Sequence, residues 1–197
     1  DEIYWLLEQY KANAEITAFL LRMVWYGRVG NLAQVALAYA TNKKSEKYVK
    51  FAAIRAVKAV SSYNDFKTLL DSVRSAKGLH ERRLLSELIE GLEPDRESIQ
   101  WIMDVLPRAE TVRNYDDGGL SETLIAYVGR LDINLLPEFL EPVSKLINRK
   151  PVIERGYCEI SKRYGWLAMA CEKAVERLIL AKHRACFTSC ILGILKK

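Results

Sequence analysis

The residues best suited to metal chemistry are one histidine and four cysteines near the C-terminal end of the chain. His183, Cys186 and Cys190 follow at intervals of three and four residues, so a helix would place all three on one face. Cys171 or Cys158 could complete a tetrahedral Cys₃His zinc site. The alternative is packing in a helical core, where free cysteine is common. We expect packing and no metal, because the compact Cys-x-x-Cys knuckle is missing.

Basic residues are concentrated in the last quarter of the chain. Residues 1–148 carry 19 Lys and Arg against 21 Asp and Glu, whereas residues 149–197 carry 11 against 4, a net charge of +7. Such asymmetry can mark a surface for phosphate, nucleic acid or an acidic partner, although exposed helices also carry basic side chains. The candidate binding residues are Arg149, Lys150, Arg155, Lys162, Arg163, Arg177, Lys182 and Arg184.

Aromatic residues are interleaved with part of this basic segment. Tyr157, Tyr164 and Trp166 alternate with candidate basic residues. Such an arrangement could stack nucleic-acid bases while the cations hold phosphates. The alternative is that these rings, like the other aromatic side chains, pack in the core.

Motifs for catalysis are missing from the sequence. It has no Walker A loop, no G-x-G-x-x-G, no nucleophile elbow and no H-E-x-x-H pair. Of its two histidines, His80 is expected at the surface or as a helix cap. The acidic run 110–117 lacks the ligand spacing of a calcium loop and is expected to be a solvated connection. We therefore expect a non-catalytic protein without a cofactor or a small-molecule substrate.

The elements that must position these residues are helices, because apolar residues recur at helical spacing. In residues 47–60, for example, Val49, Ala53, Ala56, Val57 and Val60 lie on one face, with Lys and Arg between them. No segment of strict alternation competes with this pattern. The predicted helices cover residues 3–12, 15–27, 31–41, 46–61, 64–76, 79–92, 95–109, 118–131, 134–149, 157–181 and 183–196.

Proline and polar residues mark the ends of several of these helices. Asp95, with Ser98 three residues on, is a candidate cap for the helix that follows it. Pro142 falls inside a predicted helix, which indicates a kink or a helix that begins nearer Glu141.

The helices recur at the spacing of a helical-hairpin array. Segments start near residues 47, 79, 119 and 163, which are about 32, 40 and 44 residues apart, within the range of two-helix repeats. A single hairpin cannot bury its apolar stripe alone, so stacking on its neighbours supplies the core. The sequence predicts an all-α fold, a helical-hairpin solenoid that spans residues 1–197 as one segment.

The segment KYVKFAAIRAVKAVSS resembles the second helix of a HEAT repeat, with its basic residue, small alanines and branched apolar end. LLRMVWYGRVGNLAQVALAYA followed by YVKFAAIRAV is also similar to HEAT-like regions of large bacterial NACHT-type (STAND) NTPases linked to antiphage defence. The similarity covers residues 16–60. It implies a ligand-sensing or autoinhibitory arm, with the nucleotide site outside this chain.

Two functions remain open at this point. One is an interaction module that binds a macromolecular partner, for which a protein is favoured over nucleic acid. The other is a nucleic-acid-binding repeat protein that uses the basic C-terminal quarter. We expect a cytoplasmic protein with reduced thiols and no membrane segment, and the chain is expected to be a piece of something longer because it lacks an initiating Met.

Overall fold

The fold is all-α, which confirms the class expected from the helical periodicity. A computed structural model describes residues 2–111, 119–154 and 158–196. Helices make up 75% of the structure, and the described residues form one sheet, of two strands. The chain divides into two compact units, Asp1–Lys77 and Gly78–Lys197.

The N-terminal unit, Asp1–Lys77, is built from helices joined by short turns. Its helices are α1 (Glu2–Gln9), α2 (Ala14–Gly27), α3 (Ala33–Thr41), α4 (Lys47–Val60) and α5 (Tyr63–Ser75). Helix α4 packs against α2 and α3, and α3 also packs against α5. Ala53 and Ala56 on α4 are fully buried. Their small side chains let the neighbouring helices approach closely.

Two of the helices begin with polar residues whose side chains accept hydrogen bonds from backbone N–H groups of the first turn. Ser62 and Asp65 form a capping box at the start of α5, in which each side chain accepts a hydrogen bond from the other residue's backbone N–H. Asp95 and Ser98 form the same arrangement at the start of the helix Arg96–Val105, which confirms Asp95 as a cap. These boxes fix where the connections end and the helices begin.

The C-terminal unit, Gly78–Lys197, contains helices and one antiparallel hairpin. Its helices are α6 (Arg82–Glu90), α7 (Arg96–Val105), α8 (Leu120–Arg130), α9 (Leu136–Ile147), α10 (Ala168–Leu180) and α11 (Ser189–Leu195). Strands β1 (Pro151–Glu154) and β2 (Cys158–Ser161) pair with Val152 opposite Ile160.

Helices pack both on the next helix along the chain and on the next but one. In the C-terminal unit, α6 contacts α8, α8 contacts α10, α7 contacts α9, and α9 contacts α11, while α9 also contacts α10. In the N-terminal unit, α2 contacts α4 and α3 contacts α5, while α3 also packs on α4. Each unit therefore combines contacts between alternate helices with contacts between consecutive ones.

The predicted helix 157–181 is wrong in the part before Ala168. The chain forms β2 over Cys158–Ser161 and a 3₁₀ helix over Gly165–Leu167 before α10 begins at Ala168. The β-branched residues Val152 and Ile153 favour a strand. Pairing of β1 with β2 satisfies the backbone N–H and C=O groups of both segments. The alternation in Cys158-Glu-Ile-Ser was therefore a strand signal.

Two further expectations differ from the structure. For Pro142, the alternative of a helix that begins nearer Glu141 is wrong: α9 covers Leu136–Ile147 with Pro142 inside it, because burial of Phe139 and Val143 on that helix outweighs one missing hydrogen bond. His80 is buried, and its backbone bonds to the strand-like segment at Ala109 instead of capping a helix.

Replacement of Ala56 by Leu should destabilise the N-terminal unit. The added atoms must enter a fully buried contact on α4, so we expect the free energy of unfolding to fall by about 1–3 kcal/mol. Ala59→Leu on the same helix is the matched control, because Ala59 is partly exposed. Urea unfolding of both variants measures the effect; equal stability of the two would show that the Ala56 face is open.

Candidate binding groove

An open groove of about 620 Å³ runs along α10 in the C-terminal unit. Its walls come from the end of α9, from β2, from α10 and from α11. The lining residues are mostly apolar: Ile147, Asn148, Ile160, Ala168, Cys171, Glu172, Val175, Glu176, Ile179, Leu180, Ile194 and Leu195. We call this feature the α10 groove.

The groove exists because α10 is apolar over more of its circumference than its own packing covers. One stripe, with Ala170, Ala174 and Leu178, is buried in the unit. A neighbouring stripe, with Val175 and Ile179, lines the groove. At 100° per residue, the two stripes together span an arc of about 180°, whereas a surface helix usually needs roughly 100°.

Several groove side chains are exposed although they are large and apolar. The exposed fractions are 51% for Ile179, 75% for Leu180 and 55% for Leu195. Single exposed apolar residues are ordinary, but here they are contiguous with the lining of a concave surface. Such a surface binds apolar groups by removing them from water.

One rim of the groove carries carboxylates. Glu172 and Glu176 are exposed and lie one helical turn apart on α10. Glu176 also pairs with Lys173, whose Nζ lies 2.7 Å from its carboxylate oxygen. Asn148 adds a neutral polar group at the end of α9. The groove therefore offers a partner an apolar floor with an acidic edge.

The candidate Arg177 is used within the fold. Its guanidinium donates hydrogen bonds to the carbonyl oxygens of Val128, at 2.5 Å, and Leu131, at 2.7 Å. These are carbonyls at the C-terminal end of α8, where a helix leaves acceptors open and its dipole favours a cation. Arg177 thus ties α10 to α8 and holds one wall of the groove in place.

The other candidate basic residues fall into two places. Lys182 and Arg184 are exposed in the connection that follows α10, and Arg155 lies outside the described residues. The remaining four gather around the open end of the β1–β2 hairpin and are exposed: Arg149, Lys150, Lys162 and Arg163.

The aromatic residues interleaved with these cations serve the fold. Tyr164 is buried, and its hydroxyl donates to the carbonyl oxygen of Pro107 at 3.0 Å. The guanidinium of Arg82 lies 4.1 Å from the ring centroid of Trp166. Tyr157 lies outside the described residues. Tyr164 is therefore not free to stack on a base, and Trp166, which is partly buried, has one face covered by Arg82.

The arrangement that would have made a zinc site is interrupted. The predicted helix 183–196 is wrong only before Ser189: a 3₁₀ helix covers Arg184–Phe187, and α11 then follows over Ser189–Leu195. His183 caps the former, its Nδ1 accepting from the N–H of Ala185 at 3.3 Å. His183, Cys186 and Cys190 therefore do not share one helical face. In the part of the chain that the structure describes, no three His, Cys, Asp or Glu side chains are grouped to hold a metal.

Sequence reasoning placed the candidate site on charged residues and missed the groove. Its signal was present in AMACEKAVERLIL, where apolar residues fill two adjoining faces of one helix. That pattern shows an excess of apolar surface, but which elements form the opposite wall depends on tertiary packing. Ile160 and Ile147, for example, reach the groove from β2 and α9.

Comparison with known proteins gives no relative from which function could be transferred. No family model, no curated protein and no solved structure matches the chain. The resemblance to HEAT-like regions of NACHT-type NTPases therefore stays a prediction. Separately, none of the helices in the described residues has the length and apolar character needed to cross a bilayer.

A glycine allows the close approach that shapes the groove wall. A Cβ on Gly165 would lie 2.9 Å from Cγ2 of Ile160, a branched side chain that has few rotamers to escape into. We expect Gly165→Ala to lower the free energy of unfolding by about 1–3 kcal/mol.

Gly129→Ala is the matched control for this substitution. A Cβ there meets nothing within 4 Å on the exposed side of α8, so a gain of roughly 0.5–1 kcal/mol is expected. Urea unfolding measures both variants, and a neutral Gly165→Ala would contradict the tight contact.

The Cys171 thiol should be unreactive in the folded protein. Burial, with a smaller contribution from Cys190, raises the pKa of this thiol to about 12. Since only the thiolate reacts, iodoacetamide at pH 8.5 should modify Cys171 at least about 100-fold more slowly than in denaturant. The rate in the folded protein should rise with each pH unit up to the pKa. Peptide mass spectrometry measures both rates, and equal rates would contradict the burial.

Proposed function

We propose that the chain is a non-catalytic interaction module of HEAT-like helical repeats, whose C-terminal unit binds an amphipathic helix of a protein partner in the α10 groove. The observation that carries the proposal is the exposed apolar lining of the groove beside an acidic rim. Amphipathic helices bind such grooves through apolar residues at intervals of three and four. The acidic rim favours a partner with Lys or Arg beside those anchors.

The repeat part of the proposal is supported by the packing of alternate helices. Hydrogen bonds between packed neighbours join residues at similar separations: Ser86 to Thr123, 37 residues apart, and Arg96 to Glu138, 42 residues apart. These separations match the period of about 40 residues in the sequence and the range of two-helix repeats. Arrays of this kind present long surfaces to partners.

The sequence resemblance supports a narrower form of the proposal. Residues 16–60 are similar to HEAT-like regions of bacterial NACHT-type NTPases, so we propose a sensing or autoinhibitory arm of such an antiphage protein. The test is the sequence that flanks this chain in its source. A Walker A motif upstream supports this form of the proposal, and a complete reading frame without one contradicts it.

The groove is tested with helical peptides selected for binding to the full chain from a displayed library. We expect the selected peptides to carry apolar residues at positions i, i+3 or i+4, and i+7, with Lys or Arg between them. Leu195→Lys, which places a charge in the groove lining, should weaken their binding at least about tenfold, as loss of a buried anchor does.

Leu192→Lys is the matched control. Leu192 is on the same helix and 43% exposed, against 55% for Leu195, but it does not line the groove. Its substitution should leave affinity within about twofold, since surface changes outside a contact cost little. Peptides that bind both variants equally, or a selection that enriches no amphipathic helix, would contradict the proposed site.

A further inference from the structure

The open end of the β1–β2 hairpin is a basic surface that the groove does not use. It lies in the C-terminal unit, where α9 leads into β1 and β2 leads into the following turn. We call its four residues the hairpin-base cluster: Arg149, Lys150, Lys162 and Arg163.

The strand register brings the members of this cluster together. Pro151 pairs with Ser161, so Lys150 and Lys162 stand just outside the last pair of the ladder. Directly opposed residues of an antiparallel pair have Cα atoms about 4.5–5.5 Å apart. The chain therefore enters this pair at Lys150 and leaves it at Lys162, on adjacent strands, and each lysine has an arginine beside it in the chain.

Among the residues that the structure describes, no carboxylate neutralises the positive charge of the cluster. All four side chains are exposed, and none pairs with a carboxylate among the residues that the structure describes. Arg163 is partly engaged, since its guanidinium donates to the carbonyl oxygen of Pro107 at 3.2 Å. Other lysines of this unit do form ion pairs: the Nζ of Lys145 lies 2.9 Å from a carboxylate oxygen of Glu141. Juxtaposed like charges cost stability, so an external anion would relieve them.

The surroundings of the cluster determine which anion fits. Of the nearby rings, Tyr164 is buried and Trp166 is partly buried with Arg82 over one face, so a single strand would find little aromatic surface to stack on. All four cations are exposed and none lines the α10 groove, which suits the spaced phosphates of a backbone better than one enclosed phosphate group. We propose that the hairpin-base cluster binds the phosphate backbone of duplex nucleic acid without reading its sequence.

The test is a salt titration of the full chain against a labelled 25-base-pair DNA duplex of arbitrary sequence. The triple variant Arg149→Gln, Lys150→Gln, Lys162→Gln removes three charges and spares Arg163, which bonds to Pro107. Because each phosphate contact contributes about −0.9 to the slope of log K against log salt, the variant should flatten the slope by up to about 2.7. Binding at about 50 mM salt should weaken at least tenfold, equally for two unrelated sequences.

A second triple variant separates the cluster from net charge alone. Lys182→Gln, Arg184→Gln, Lys196→Gln makes the same change in charge at exposed positions outside the cluster. It should keep most of the wild-type slope. Equal losses in both variants, or no duplex binding at about 50 mM salt, would overturn the proposal.

Two other ligands are measured in parallel. Tighter binding to a single strand than to the duplex would overturn the backbone assignment. Vesicles with anionic lipid that bind the wild type and not the cluster variant, in the absence of duplex binding, would assign the surface to a membrane instead. Circular dichroism checks that each variant retains its helical spectrum.

Discussion

The C-terminal unit depends on how α10 is held. Its stripe of Ala170, Ala174 and Leu178 is buried, and Arg177 donates to two carbonyls at the end of α8. These contacts set the rotation of the helix, in which Val175 is buried while Ile179, one turn further on, stays half exposed. The groove is the consequence, because apolar residues that the core does not cover must face a concavity between α9, β2 and α11.

The two proposed surfaces of this unit suit ligands of opposite chemistry. The α10 groove is apolar with Glu172 and Glu176 at its rim, whereas the hairpin-base cluster is wholly basic. Strand β2 connects them, since Ile160 lines the groove and Lys162 belongs to the cluster.

The sequence predicted the elements that local physics controls and missed those that depend on distant contacts. Helical periodicity located α4, and the spacing of Asp95 and Ser98 predicted a cap, because both arise within a few residues. The hairpin was not predicted, because each of its strands is only four residues long and its stability comes from cross-strand pairing. The basic residues did not locate the site for the same reason, since only the fold shows that Arg177 bonds to carbonyl oxygens at the C-terminal end of α8.

The claim that the α10 groove binds the apolar face of a partner helix is tested most directly by methyl NMR. The full chain, labelled at its isoleucine methyls, is titrated with a peptide helix that has Leu at every third or fourth position and Lys between. The account predicts shifts at Ile147, Ile160, Ile179 and Ile194, which line the groove, and none at the buried Ile102. Shifts confined to isoleucines of the N-terminal unit, or none at saturating peptide, would contradict it.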